Sequence, residues 1–266
     1  MKHARNPVAD MAIWAAALAV LGFLLLPLVI VLLYAFDASS VQVWPIRAFS
    51  LRWFAATWAD EEVRGALLVS LEVAGLATLF ATILGTLAAL GMNGLSTRTT
   101  QVGSFLLTLP IALPGVLTGI AMNSFFTLLD IPFNLVTLVI AHTTFCMVII
   151  FNNVMARLRR LPPSLREAAQ DMGATPWHGF ITITLPLLAG SVMSGMLLAF
   201  ALSFDEVIVS TFTAGSETTL PLWIFGAIRL GQHMPEVNVV VFAVIAITIL
   251  PIIAGQKLAA SASREH

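Results

Sequence analysis

The chain has 266 residues, 59% of them hydrophobic and only 10% charged, which leaves too little polar surface for a soluble domain of this length. Its 13 Lys and Arg against 14 Asp and Glu give a net charge of -1, without the basic tract that a nucleic-acid partner requires. The lone Cys146 excludes an internal disulfide and a cysteine-based metal cluster.

Long apolar runs at about residues 12–36, 66–90, 102–129, 133–155, 185–210 and 237–258 predict an all-α polytopic membrane protein of about six transmembrane helices, with residues 1–266 forming a single membrane domain. The first run follows Lys2 and Arg5, an arrangement shared with signal peptides. Its roughly 25 apolar residues exceed an ordinary h-region and no A-x-A-like site follows, so it is expected to remain as a span. Trp44, Trp53 and Trp58 come next, where amphipathic rings suit the headgroup layer and a short helix can lie in plane.

Glu72 falls inside the second run. Pro110, Pro114, Gly115 and Gly119 interrupt the third. A proline frees an upstream carbonyl and small residues allow close backbone approach, so a kink is expected at Pro110 and Pro114. His142, in the fourth run, has no second His or carboxylate at ligand spacing and reads as hydrogen-bonded core; no metal site is expected. Gly190, Ser191, Ser194 and Gly195 open the fifth run and suggest tight packing. Asp205 and Glu206 lie near its far end.

A cytoplasmic N-terminus would place Lys2, Arg5, Arg98, Arg157, Arg159, Arg160, Arg166, Lys257 and Arg264 on the inner side, against Arg47, Arg52, Arg64 and Arg229 outside. That asymmetry favours both termini inside.

Residues 156–186 form the longest polar insert on the inner side. Pro162 and Pro163 end the preceding helix, Ser164 and Glu167 have the spacing of a capping box, and Gly173 is a suitable stop. Leu165, Ala168, Ala169 and Met172 share one face of the short helix so defined. Thr175 and Pro176 supply an N-cap and first-turn pair, so a second helix starts at once and runs toward Pro186. The apolar stripe either docks into a groove on another protein or packs on the ends of the chain's own spans; periodicity leaves both open.

Glu167-Ala168-Ala169, three residues, Gly173, nine residues, then Ile183-x-Leu185-Pro186 resembles the EAA loop of the membrane subunits of bacterial binding-protein-dependent ABC importers. Residues 107–122, 202–231 and 235–238 resemble the spermidine/putrescine-type permeases, particularly the second of their two membrane subunits, with Val207 where an aromatic residue is commoner. The resemblance implies a type I ABC importer permease fold in a bacterial inner membrane. It also implies that Glu167, Ala168, Ala169 and Gly173, with Ser164, Asp171 and Ala174 beside them, couple the spans to a separate ATPase dimer. A second homologous permease chain and an extracytoplasmic solute-binding protein are implied as partners. No Walker-type G-x-x-x-x-G-K-[ST] occurs, so the chain is expected to be non-catalytic and without a cofactor, with ATP and Mg on the partner ATPase.

Ionisable groups within spans mark a pathway or a buried pair by default. Carboxylates without intramembrane Lys or Arg favour a small cationic solute, in line with the polyamine-type resemblance. Asp205, Glu206, Glu72 and Trp223 are the pathway candidates. Adjacent residues on a helix point about 100° apart, so of Asp205 and Glu206, late in the fifth span, one faces the pathway and one supports it. Glu72 also fits a capping or snorkelling role. The segment from Thr218 to Gly231, with Trp223 and Arg229, can contact the external binding protein or gate the cavity. The alternatives are an importer of the same class for another small organic solute, or a secondary transporter; the latter should carry internal repeats.

Overall fold

The computed structural model describes residues 7–162 and 164–247. In chain order the helices are α1 (Pro7–Tyr34), α2 (Arg52–Ala59), α3 (Glu61–Asn93), α4 (Thr97–Ala112), α5 (Gly115–Leu128), α6 (Leu135–Leu158), α7 (Ser164–Asp171) and α8 (Pro176–Gly179), then, after the π-helical turn Phe180–Thr184, α9 (Leu185–Phe204), α10 (Ile208–Thr213) and α11 (Leu220–Leu230), and finally α12 (Met234–Ile247). Extended pairing among the described residues is limited to one bridge between Asp37 and Phe49. Among the described residues four stretches are long and apolar enough to cross a membrane, and α4 with α5 makes a fifth candidate. The sixth apolar run begins in α12, and its residues 248–258 lie outside the described part, as do Lys2, Arg5, Lys257 and Arg264.

Two spans differ from the sequence expectation. The third is not one kinked helix: α4 and α5 meet at 100°. Leu113 is extended (ψ 146°) and Pro114 caps α5 with ψ 134°, because the residue before a proline is driven out of helical conformation. Pro110 lies inside α4, so the sharp turn belongs to Pro114. The fifth run is also interrupted: α9 stops at Phe204, and α10 begins only at Ile208. Asp205 and Glu206 are therefore on a helix break and not on consecutive positions of one helix.

The chain divides into two compact units, residues 64–225 and the segments that flank them. In the central unit α6 is the axis. Asn134 caps it, accepting from Val136 N–H, while Asn134 N–H and the Thr137 hydroxyl complete a reciprocal capping box. Phe145, Cys146, Ile150, Phe151, Val154 and Met155 of α6 are buried against Ala81 and Ala89 of α3 and Leu188 and Ala199 of α9.

Lipid tails are as apolar as leucine, so close packing and not water exclusion holds such helices together. Small residues let it happen. A Cβ at Gly85 would lie 2.7 Å from the Met147 carbonyl, and one at Gly195 would lie 3.1 Å from Ile150 Cδ1. Gly190 faces open space and Ser194 is exposed, so of the predicted small-residue cluster Gly195 is the one buried at a close helix contact.

In the flanking unit, Phe36, Phe54 and Phe242 pack edge and face with ring centroids 5.1 to 5.5 Å apart. No residue in the most apolar window of α1 is buried among the described residues. A short helix does follow the first span, α2, with Trp58 exposed and the Arg52 guanidinium 4.4 Å from the Trp53 ring centroid.

Candidate coupling loop and solute site

The loop at residues 156–186 folds as two helices joined by a tight turn. The first, α7, begins at Ser164 itself, one position earlier than an N-capping serine would allow, so Ser164 stands in the first turn with Glu167. At its end Gly173 adopts φ +82°. Gly173 N–H donates to the Gln170 carbonyl and Ala174 N–H to the Ala169 carbonyl, both at 2.9 Å. This is the paired closure of a Schellman turn, and it needs a residue tolerant of left-handed backbone. One residue on, Thr175 accepts from His178 N–H and Pro176 occupies the first turn of α8.

Only Ala169 of the apolar stripe is buried, at 8% exposure, where its Cβ faces Gly179. Leu165 and Ala168 are exposed, as are Glu167 and Asp171, and Met172 is 89% exposed. Behind α7 a cleft of about 880 Å³, lined by Leu90, Arg159, Glu167 and Ile183 among others, separates the loop from the ends of α3 and α6. Among the described residues, then, the stripe is covered at Ala169 and open at Leu165, Ala168 and Met172.

The second helix does not stop at Pro186. It runs without interruption from Pro176 to Phe204, 29 residues. Proline lacks the N–H that the helical ladder needs. The turn just before it widens to π geometry, with Leu185 N–H reaching the Phe180 carbonyl, so the register shifts around Pro186 instead of ending. Arg157 Nε donates to the Leu187 carbonyl at 3.1 Å and ties this rod to the end of α6.

At the rod's far end lie Asp205 and Glu206. Asp205 is exposed, whereas Glu206 is half-buried, and its carboxylate accepts from Val209 N–H at 2.9 Å, restarting the chain as α10. Neighbouring helices hold α10 in place. Asn123 Nδ2 donates to the Phe212 carbonyl at 2.7 Å and the Thr137 hydroxyl to the Thr213 carbonyl at 3.0 Å. Gly119 of α5 admits the Phe212 ring, and Gly215, at φ +64°, lies against the Phe133 carbonyl. His142 is fully buried between Ser203 and Ser210, on either side of the break.

The membrane-transport model described as "Binding-protein-dependent transport system inner membrane component" matches residues 81–260, more than half of the chain. The chain belongs to that family. Among curated relatives, the putrescine transport system permease protein PotI of Escherichia coli K12 is 35% identical over 244 residues, covering 85% of this chain and 83% of its own. The spermidine/putrescine transport system permease protein PotC of the same strain is 30% identical over 243 residues, 91% of each chain. A crystal structure of a bacterial ABC transporter involved in alginate import has the same fold, with a TM-score of 0.70 at 13% identity over 96% of this chain and 99% of that one. The protein is therefore an inner-membrane permease subunit of an ABC importer, with the type I permease fold.

Within the permease the pathway candidates separate. Glu72 is exposed on α3, and its carboxylate, like that of Asp205, has no hydrogen-bond partner among the described residues. Glu206 alone is built into a polar cluster. Trp223 is on the buried face of α11 with Leu220, at 8% exposure. That helix is fixed at its start, where Leu220 N–H donates to Ser70 Oγ at 2.7 Å. No group of three His, Cys, Asp or Glu among the described residues could hold a metal ion. Sequence reasoning passed over Asn123, Thr137, Ser203 and Ser210. Polar side chains within apolar runs were the available signal, although their partners are up to 89 positions away.

Proposed function

We propose that this permease serves an importer for putrescine, spermidine or a related small cation, as one of two similar membrane chains. An extracytoplasmic binding protein delivers the solute, and a separate ATPase dimer binds ATP and Mg; the permease contributes no cofactor of its own. Both termini are cytoplasmic, which the distribution of Lys and Arg supports. The cargo reading is supported by the names of the two relatives and by the acidic residues beyond α9.

One observation carries the mechanism: a single continuous element runs from the turn that follows the EAA helix to the acidic break. With 29 residues at 1.5 Å each, the rod from Pro176 to Phe204 is about 43 Å long, more than the roughly 30 Å of a hydrocarbon core. Docking of α7, by Leu165, Ala168 and Met172 with Glu167 at the rim, fixes the inner end through the Gly173 turn. When the ATPase dimer closes on ATP, the rod transmits that displacement to the break. Asp205 and Glu206 then exchange their contacts with an ammonium group as access alternates from the outer to the inner side. A desolvated ammonium regains in these contacts part of its lost hydration.

The test is ATP hydrolysis by the complex purified through this chain, with its binding protein, against putrescine, spermidine, amino acids and sugars. Stimulation by the polyamines alone is expected. Stimulation by another solute would remove the cargo and keep the coupling; no associated ATPase would overturn both.

A further inference from the structure

The helix break that carries the two carboxylates contains neither Gly nor Pro. The Glu206 carboxylate caps its far side locally through Val209 N–H, and two tertiary bonds from α6 span it. Ser203, in the last turn of α9, meets His142 Nδ1 at 2.8 Å, and Ser210, in the first turn of α10, meets His142 Nε2 at 3.0 Å. Ser210 Oγ also donates to the carbonyl of Glu206 at 2.7 Å. With its proton committed there, Ser210 can only accept from the imidazole, so Nε2 carries the hydrogen. In the neutral ring Nδ1 is then the acceptor, and the Ser203 hydroxyl donates to it. One ring thereby spans the break from α6, donating on one side and accepting on the other. All three side chains are buried, His142 and Ser210 completely.

We propose that His142 is a positioning residue for the transported solute: its imidazole joins the end of α9 to the start of α10 and so fixes where Asp205 and Glu206 present their carboxylates. This rests on the reading that those carboxylates meet the solute. The geometry has two consequences. An apolar replacement leaves two buried hydroxyls without their partner, which the chain can relieve by letting α9 continue helically through the break, turning Glu206 away. A side chain offering both a donor and an acceptor preserves the join.

The experiment compares ATP-dependent putrescine uptake per ATP hydrolysed, in proteoliposomes containing the whole transporter, for the wild type, H142L, H142Q, S210A, D205N and E206Q. A merely structural loss lowers uptake and hydrolysis together, whereas misplacement of the carboxylates lowers uptake per ATP. H142L is expected to lower that ratio about tenfold, with H142Q restoring it to within about threefold of wild type. The H142L/E206Q double variant is expected to be no worse than the more impaired single one, because the two changes act on one unit. A wild-type ratio in H142L while E206Q or D205N lowers it would overturn the positioning role alone. If H142L fails to insert, S210A, which cuts the same link, decides by the same criterion. Wild-type ratios in both D205N and E206Q would overturn the carboxylate site and this inference with it.

Discussion

Gly173 sets the angle between the docking helix and the rod, and replacing it isolates that role. Its φ is +82°, yet a Cβ there would meet nothing within 4 Å, so Gly173→Ala introduces no clash with neighbouring atoms. What remains is the backbone cost of holding an L-residue in left-handed conformation, about 1 to 2 kcal/mol. That cost falls on the turn closed by the two 2.9 Å bonds to Ala169 and Gln170. Such an energy changes a two-state population by about 5- to 30-fold. Titrating the ATPase subunit against reconstituted permease should show half-maximal stimulated hydrolysis shifted upward by at least about fivefold, with Gly173→Asn milder because asparagine tolerates this conformation. Gly179 provides the control. It lies at φ -60°, and its added Cβ would be 3.9 Å from Ala169, so Gly179→Ala should leave the titration unchanged. A wild-type titration for Gly173→Ala, or equal damage from both variants, would refute the reasoning.

Glu167→Lys should insert and assemble its spans normally, read by protease protection and melting in detergent, while stimulated hydrolysis drops to less than about a tenth through reversed charge at the docking rim. Asp205→Asn should reduce uptake of labelled putrescine about tenfold without comparable loss for an uncharged cargo, because the lost contact is with the ammonium. Gly85→Ala should lower the detergent melting midpoint by several degrees, since its Cβ meets the Met147 carbonyl at 2.7 Å and Ile150 Cβ at 2.9 Å, an overpacking cost of about 1 to 3 kcal/mol. Gly75→Ala on the same helix, with nothing within 4 Å, should leave the midpoint at or above the wild-type value.

The spans were legible because a membrane demands long apolar runs, and those runs coincide with α1, α3, α6 and the helix ending at Phe204. The turn and helix start inside the 156–186 loop were also legible. Gly173, Thr175 and Pro176 act through local backbone chemistry, which needs no knowledge of neighbours. Pro186 misled for the opposite reason: a local rule ends a helix there, while a π turn upstream lets it continue. The interruption at Asp205 was not legible at all, since what holds it are bonds from His142, 61 and 68 positions distant from its serine partners. Trp223 was singled out as a pathway candidate, and its burial on α11 with Leu220 depends on tertiary packing that the sequence does not display. The stripe on α7 stayed ambiguous in sequence because periodicity reports a face and not what covers it; among the described residues Met172 and Ala168 are exposed while Ala169 is buried.

The central claim is that this chain converts ATP hydrolysis on a partner into inward movement of a small polycation. Its most direct test is uptake of labelled putrescine into proteoliposomes holding the whole transporter and its binding protein, with and without ATP, for wild type and Glu167→Lys. ATP-dependent accumulation by the wild type, abolished in the variant although its spans remain folded, is the predicted result. Accumulation that persists without ATP, or that is equal in the two proteins, would contradict the account.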